Sequence, residues 1–298
     1  MNRRDFHRSM LLFGALSAFT TRSPARRKSS VTAVDTHAHV FVRGLKLAER
    51  RRYAPDYDAS VEEYLRLLDS HGISNGVLIQ PSFLGTDNGY LTTALRRHPD
   101  RLRGIAVVAT AAPERELAML DSAGVVGIRL NMVESPPPDL RSAAWQPLIR
   151  RVSKLMWQVE VHKEARDLPV LLPPLLDAGV NVVVDHFGRP DPALGIEDPG
   201  FKYLLSTGKS RRVWVKLSAA YRNGANGVGE KIAREAIPLL LQAFGPSRLL
   251  WGSDWPHPEF EKEVSHATLC KREFDGWIHD PAERHTILVN TPVELFRF

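Results

Sequence analysis

Cysteine is almost absent from the chain: among 298 residues there is a single one, Cys270. One thiol cannot form an internal disulfide bond, so the core alone must stabilise the fold. Long hydrophobic runs are scarce as well. The apolar stretch at residues 10–19 is far shorter than the ~20 residues that a transmembrane helix needs. These two features argue against a disulfide scaffold and against a membrane span.

The chain after residue 30 has no net charge. The formal charge is +6, but the first 30 residues carry seven basic side chains and one acidic one, so the remainder carries 33 of each sign. The sequence pI of about 9.5 therefore reflects the leader. It gives no indication that the folded part binds nucleic acid.

Residues 1–30 have the features of an export signal. Arg3 and Arg4 precede the apolar stretch, and Ser23, Pro24 and Ala25 offer small residues for cleavage. This pattern is typical of a twin-arginine signal, although a disordered basic tail is an alternative. We predict a signal and linker in residues 1–30, export of the folded protein by the twin-arginine machinery, and a periplasmic or secreted location.

In residues 31–298, short β-branched runs alternate with longer amphipathic ones. Strands are predicted at residues 34–40, 75–80, 103–108, 126–131, 158–161, 181–185, 213–217 and 249–251. Helices are predicted at residues 60–70, 88–97, 113–123, 145–156, 168–178, 201–205 and 228–243, and Pro173 and Pro174 should break or kink the fifth. Alternating elements with eight strands indicate one α/β domain, a (β/α)8 TIM barrel. An open doubly wound sheet is the rival, but no glycine-rich phosphate loop follows any strand.

Two histidines lie at the end of the first predicted strand. Because side chains alternate along a strand, Asp35, His37 and His39 should project from one face. Two imidazoles aimed at one point can offer neutral nitrogens to a metal, or hydrogen bonds to a reacting oxygen. An isolated pair of this kind also fits two ordinary polar histidines, so the other strands must decide.

Polar residues also occur where the other predicted strands end. In a TIM barrel, catalytic groups lie at the C-terminal ends of the strands. The polar residues found there are Arg129, Asn131, His162, Asp185, His186, Lys216, Ser218, Ser253 and Asp254. Each has a plain structural explanation by itself, such as a solvated strand end or a turn cap. Together they indicate one concave site.

Four motifs carry a resemblance to a known family. They are residues 35–41 (DTHAHVF), 85–88 (GTDN), 184–191 (VDHFGRPD) and 251–258 (WGSDWPHP). With these motifs the chain resembles the amidohydrolase superfamily, and within it the branch that contains 2-pyrone-4,6-dicarboxylate lactonase and sugar lactonases. The match extends from about residue 34 to residues 290–292 (NTP).

The resemblance implies a distorted TIM barrel in which Asp254 activates water. It also implies three catalytic histidines around the reacting carbonyl: His37, His39 and His186. By the same analogy a substrate carboxylate would be held by Arg129 and Arg222, with Tyr53 from the first loop in contact with it.

Two departures from the pyrone lactonase pattern matter. A further substrate arginine expected shortly after Arg129 is missing from residues 133–136 (VESP), which puts the pyrone dicarboxylate substrate in doubt. The expected tyrosine of strand five is His162, which reopens the question of a metal. A divalent ion such as Zn²⁺ has a four-residue candidate ligand set in His37, His39, His162 and Asp254. Without a metal, the histidines would themselves have to polarise the carbonyl.

These observations favour an enzyme that hydrolyses a lactone, a cyclic ester, bearing a carboxylate. One alternative is a metal-dependent decarboxylase of the same superfamily that uses much the same residues. Another is a secreted binding protein without catalysis on the same barrel. Serine or cysteine catalysis is disfavoured, because no nucleophile elbow is present and Cys270 falls in a polar helix away from the strand ends. The expected partner is a small molecule, and the sequence leaves the oligomeric state open.

Overall fold

The computed structural model describes residues 31–265, 269 and 271–298, and Val31–Phe298 forms one compact unit. The predicted export signal, its apolar stretch and Cys270 lie outside the described residues. Within the described part of the chain, no helix has the length and hydropathy needed to cross a membrane.

Eight parallel strands pair in chain order and form a barrel, which confirms the predicted (β/α)8 fold. Their bounds differ from the predicted ones by at most two residues. The strands are β1 Val34–Ala38, β2 Asn75–Ile79, β3 Leu102–Ala106, β4 Val125–Asn131, β5 Gln158–His162, β6 Val182–Val184, β7 Val213–Leu217 and β8 Leu249–Trp251.

Helices follow the strands and cover the outside of the barrel. They are α1 Val61–Ser70, α2 Gly89–Arg97, α3 Glu114–Ser122, α4 Gln146–Lys154, α5 Leu168–Asp177, α6 Pro199–Ser206, α7 Val228–Phe244, α8 Lys271–Trp277, α9 Pro281–His285 and α10 Thr291–Phe296. The sequence pattern gives no bounds for the last three, because helices this short contain too few turns to establish a period.

Local sequence signals account for the start of α1 but not for the course of α5. Ser60 Oγ accepts the Glu63 N–H at 3.2 Å and the Glu63 carboxylate accepts the Ser60 N–H at 2.9 Å, which confirms the predicted capping box. A break or a kink was predicted at Pro173 and Pro174, and the break is wrong, since α5 runs through both residues. Its buried leucine face packs in the core, and this packing offsets the roughly 3 kcal/mol that an interior proline costs.

The barrel closes between β8 and β1 through a short, irregular contact. Ala38 and Trp255 form an isolated parallel bridge, and the His39 N–H donates to the Trp255 carbonyl at 2.7 Å. The Asp254 N–H donates to the His37 carbonyl, also at 2.7 Å. The segment after β8 is thus fixed against the end of β1, so Asp254 lies beside the two histidines.

Strand β1 is itself irregular, with a register shift between Asp35 and Ala38. Asp35 accepts hydrogen bonds from the hydroxyls of Tyr64 in α1 and Ser253 after β8. The shared face predicted for Asp35, His37 and His39 is therefore wrong for Asp35, because a register shift interrupts the strict alternation of side chains. Asp35 therefore connects β1 to α1 and to the segment after β8 through hydrogen bonds, whereas both histidines face the site.

Candidate active site

The C-terminal ends of the strands line one polar cavity that opens to solvent. Predicted site residues that line it are His39, Tyr53, Arg129, His162, Arg222 and Asp254. His37 and His186 lie next to it and are fully buried. Two lining residues that the sequence analysis missed, Arg52 and Glu259, come from the loops after β1 and β8. Loop residues have no periodicity that would reveal them from sequence.

Three imidazoles surround one oxygen of Asp254. The Nε2 atoms of His37 and His39 each lie 3.5 Å from Asp254 Oδ1, and Nε2 of His186 lies 3.9 Å from it. Within the described chain, Asp254 Oδ1 and the Nε2 atoms of His37 and His186 have no hydrogen-bond partner. Buried polar atoms are seldom left unsatisfied, so this convergence requires an explanation.

A divalent cation fits these atoms. His37, His39 and Asp254 each offer a ligand atom, and these atoms lie within 4.8 Å of one another. His39 Nδ1 lies 2.8 Å from the Ile79 carbonyl, which can only accept a hydrogen bond, so the proton is on Nδ1 and the lone pair of Nε2 faces the site. Histidine ligands in metal sites are oriented in this way. The site can therefore hold one divalent ion such as Zn²⁺.

His162 is placed differently from the other proposed ligands. Two groups of described side chains could hold a metal, and His162 belongs to neither: one is His37, His39 and Asp254, and the other is His37, Asp185 and His186. Its Nδ1 lies 3.2 Å from Arg129 Nη2, and its Nε2 lies 3.4 Å from Arg189 Nη1. Burial and the charge of Arg129 lower the pKa of His162 well below its usual value, so the ring is neutral. The structure thus brings three members of the predicted ligand set together and leaves His162 between two guanidinium groups.

The other histidines of the site are neutral as well. Burial is the main cause that lowers the pKa of His37 well below its usual value and that of His186 to about 3. Burial also lowers the pKa of His39. Neutral imidazoles are suited to binding a cation or to hydrogen bonding with a substrate.

Asp254 is ionised and oriented by its neighbours. Burial raises the pKa of its carboxyl, but the charge of Arg222, with contributions from the histidines, outweighs burial and holds the pKa well below its usual range. Arg222 Nε donates to Asp254 Oδ2 at 2.6 Å, and the Tyr221 hydroxyl donates to the same oxygen at 2.7 Å. Oδ2 is thereby engaged, while Oδ1 faces the three imidazoles. Tyr221 was missed by the sequence analysis, although it directly precedes Arg222.

Arg129 lines the cavity but already has a carboxylate partner. Its Nε and Nη2 donate to Asp185 Oδ2 at 3.3 and 3.1 Å. Both side chains are almost fully buried. Replacing Arg129 would leave a buried carboxylate without its partner, so loss of activity in such a variant would not isolate substrate binding.

A buried cation lies below the histidines. Lys216 Nζ donates to Glu160 Oε2 at 2.7 Å, and it lies 3.4 Å from Asp185 Oδ1 and 3.0 Å from His37 Nδ1. Lys216, Glu160 and Asp185 have no exposed side-chain surface. This cluster joins β5, β6 and β7 beneath the site. Glu160 could have been found from sequence, because it shares its strand face with His162.

Two loops meet above the cavity. Tyr53 and Tyr57, from the loop after β1, both donate their hydroxyls to Glu261 Oε1 in the loop after β8, the latter at 2.9 Å. Tyr53 was expected to contact substrate. In the structure it lines the cavity, but its hydroxyl is bound to Glu261.

Comparisons with known proteins agree with this geometry. Residues 34–298 match the family model described as amidohydrolase. A 2-pyrone-4,6-dicarboxylate hydrolase from Comamonas testosteroni is 33% identical over 300 residues, covering 95% of this chain and 96% of that protein. A 4-sulfomuconolactone hydrolase from Rhizobium radiobacter is 33% identical over 274 residues, covering 89% of each chain.

A solved structure is also similar. It is a crystal structure described as a probable 2-pyrone-4,6-dicarboxylic acid hydrolase from Acinetobacter baumannii with citric acid bound. It matches with a TM-score of 0.85 and 42% identity, covering 89% of this chain and 99% of that one.

Proposed function

Because the chain belongs to the amidohydrolase family, we propose that it is a hydrolase that opens a lactone bearing at least one carboxylate. The predicted family and the prediction of an enzyme are both confirmed. The observation that carries the proposal is the buried, ionised Asp254, whose Oδ1 faces three neutral imidazoles below a cavity lined by arginines. The relatives named above are hydrolases of a pyrone dicarboxylate and of a sulfomuconolactone.

The groups of the site support attack of water on an ester carbonyl. Arg222 and Tyr221 engage Asp254 Oδ2, so Oδ1 is the oxygen that accepts a proton from the attacking water. The oxygen of this water bonds to the carbonyl carbon, the ring C–O bond breaks, and the proton passes to the leaving oxygen to give a hydroxy acid. In this proposal His186 orients the carbonyl; its Nδ1 lies 2.9 Å from Ser218 Oγ and its Nε2 faces Asp254 Oδ1 at 3.9 Å. A divalent ion, when bound, lowers the pKa of a water toward ~7.

The cavity is suited to an anionic substrate. Arg52, Arg129 and Arg222 line it, and an arginine fork matches the two oxygens of a carboxylate. Asp254 and Asp185 neutralise part of this charge, so the substrate would contact the guanidinium nitrogens that these carboxylates do not use.

The two alternatives have weaker support. Three relatives that share at least 30% identity are a 2-pyrone-4,6-dicarboxylate hydrolase and two 4-sulfomuconolactone hydrolases. A dihydroxybenzoic acid decarboxylase structure is 16% identical with a TM-score of 0.62, which shows a common fold alone. A binding protein without catalysis would not require an orphaned carboxylate oxygen beside three buried imidazoles.

A panel of lactones with zero, one and two carboxylates tests the proposal. We expect kcat/KM to rise with the number of carboxylates and the product to be the hydroxy acid. Preference for neutral lactones would contradict the substrate class, and release of carbon dioxide from an aryl acid would favour the decarboxylase. Liquid chromatography with mass detection distinguishes these products.

Metal content should depend on His39 and not on His162. His39→Ala removes a ring whose Nε2 faces the other ligand atoms, so we expect less bound Zn²⁺ by elemental analysis, with partial recovery on addition of Zn²⁺. His162→Ala should keep its metal content and show mainly a raised KM, because His162 lies between arginines. An equal loss of metal in both variants would instead make His162 a ligand, as the sequence suggested.

We propose that residues 1–30 direct export through the twin-arginine machinery. The paired arginines, the short apolar stretch and the single cysteine support this proposal. Changing Arg3 and Arg4 to lysine should leave the protein in the cytoplasm, as measured by cell fractionation. Unchanged accumulation in the periplasm would contradict it.

A further inference from the structure

The loop after β8 carries two carboxylates to the rim of the cavity. One of them, Glu261, is held by Tyr53 and Tyr57, and it also accepts the Glu259 N–H at 3.1 Å. These bonds fix the backbone of Glu259. Its φ of 72° lies in the left-handed region, which residues other than glycine seldom adopt. Such a conformation at the rim of a site is a reason to look for a function.

Glu259 extends between two arginines of the cavity. Its Oε1 lies 3.8 Å from Arg52 Nη2, and its Oε2 lies 4.0 Å from Arg222 Nη1. Both distances exceed hydrogen-bond length, so the carboxylate is attracted to the arginines without being bonded to them. Arg222 uses its Nε for Asp254 and its Nη2 for the Pro258 carbonyl. Its Nη1 is the nitrogen next to Glu259, and all three side chains line the same cavity.

We propose that Glu259 is a specificity-determining residue, an internal carboxylate that competes with the substrate carboxylate for Arg52 and Arg222. The inference rests on the proposed function, since it assumes an anionic lactone. A substrate carboxylate that approaches Arg222 Nη1 must displace Glu259 or accept its repulsion. Glu259 therefore weakens the binding of anions in general. Only an anionic substrate that makes further contacts with the cavity still binds well.

The same charge favours release of product. Hydrolysis turns a neutral ester into a carboxylate and a hydroxyl, so the product carries one more negative charge than the substrate. Repulsion by Glu259 is then greater for the product than for the substrate. An enzyme lined by several arginines would otherwise bind its more anionic product more tightly.

Glu259→Gln tests this role because it removes the charge and keeps the shape. The probe is tricarballylate, a tricarboxylate without an ester to hydrolyse, and its binding is measured by titration calorimetry. We expect the Kd of tricarballylate to be about fivefold lower for the variant than for the wild type at low ionic strength, which is the effect typical of one partly exposed charge pair. The difference in Kd between the two proteins should become smaller at high salt, because salt screens the charges. Glu263→Gln is the matched control, because Glu263 is exposed on the same loop.

Kinetics give a second readout. In Glu259→Gln, KM for the anionic lactone should fall and the inhibition constant of the product should fall further, while KM for a neutral lactone stays unchanged. Equal probe binding by wild type and variant, or no binding by either, would overturn the role of Glu259. Failure of the wild type to hydrolyse any lactone would instead refute the proposed function, and the calorimetric comparison would still decide whether Glu259 opposes anions.

Discussion

Changing Asp254 to asparagine should lower kcat by about 10²- to 10⁴-fold, the contribution of a positioned general base. Asparagine keeps the size of the side chain, but its amide cannot accept a proton from water at neutral pH. The carboxylate is suited to this role because Arg222 and Tyr221 engage Oδ2, leaving Oδ1 to face the imidazoles. Steady-state kinetics on the best lactone of the panel measures the loss.

The control for this variant is Asp58→Asn. Asp58 lies on the loop after β1 and is paired with Arg43 at 3.2 Å at the surface, so its replacement should leave kcat unchanged. The melting temperature of each variant shows whether the fold is intact. A folded Asp254→Asn enzyme with kcat within a factor of a few of the wild type would remove Asp254 from the mechanism.

Changing Lys216 to methionine should destabilise the protein by about 3–5 kcal/mol, the usual result of breaking one side of a buried ion pair. Lys216 lies between Glu160 and Asp185, and none of the three side chains is exposed. Methionine fills a similar volume but leaves Glu160 without the cation 2.7 Å away. The free energy of unfolding in urea measures the effect.

Lys202→Met is the matched control. Lys202 and Glu197 are 2.6 Å apart, close to the distance in the buried pair, but both are exposed, so the loss should be below about 1 kcal/mol. Adding Glu160→Gln to Lys216→Met should restore part of the stability, because it removes the unpaired charge. If Lys216→Met cost no more than Lys202→Met, the buried cluster would contribute little to stability.

The stability of the Lys216→Met variant should also change with pH in a defined direction. Burial already raises the pKa of Glu160 to about 7, although the charge of Lys216 lowers it, so removing the lysine should raise this pKa further above its unfolded value. The native state then binds more protons than the unfolded state, so stability should increase as the pH falls toward the unfolded pKa. Unfolding free energies at neutral and mildly acidic pH check the sign.

The sequence by itself determined the barrel and the residue types of the candidate active site. Strand positions follow from short β-branched runs, and α1 begins at its capping box, because both are local signals. The two histidines of β1 and the Ser253-Asp254 pair after β8 were assigned to one site because the ends of parallel strands meet at one face of a barrel.

The partners of those residues were decided by the tertiary structure alone. Arg129 bonds Asp185, which is 56 positions away in sequence, and Arg222 bonds Asp254, which is 32 positions away. No local pattern encodes these pairs. Barrel closure brings them together, and their pKa values then depend on burial and on charges from other strands.

In the loops, too, the sequence predicts which residues belong to the site, and the tertiary structure decides their partners. Tyr53 could be assigned to the site from the sequence, but its bond to Glu261 and the position of Glu259 between Arg52 and Arg222 could not. These contacts join the loop after β1 to the loop after β8, which are about as far apart along the chain as the barrel allows. Only closure of β8 onto β1 places the two loops side by side, because that contact fixes where each loop leaves the barrel.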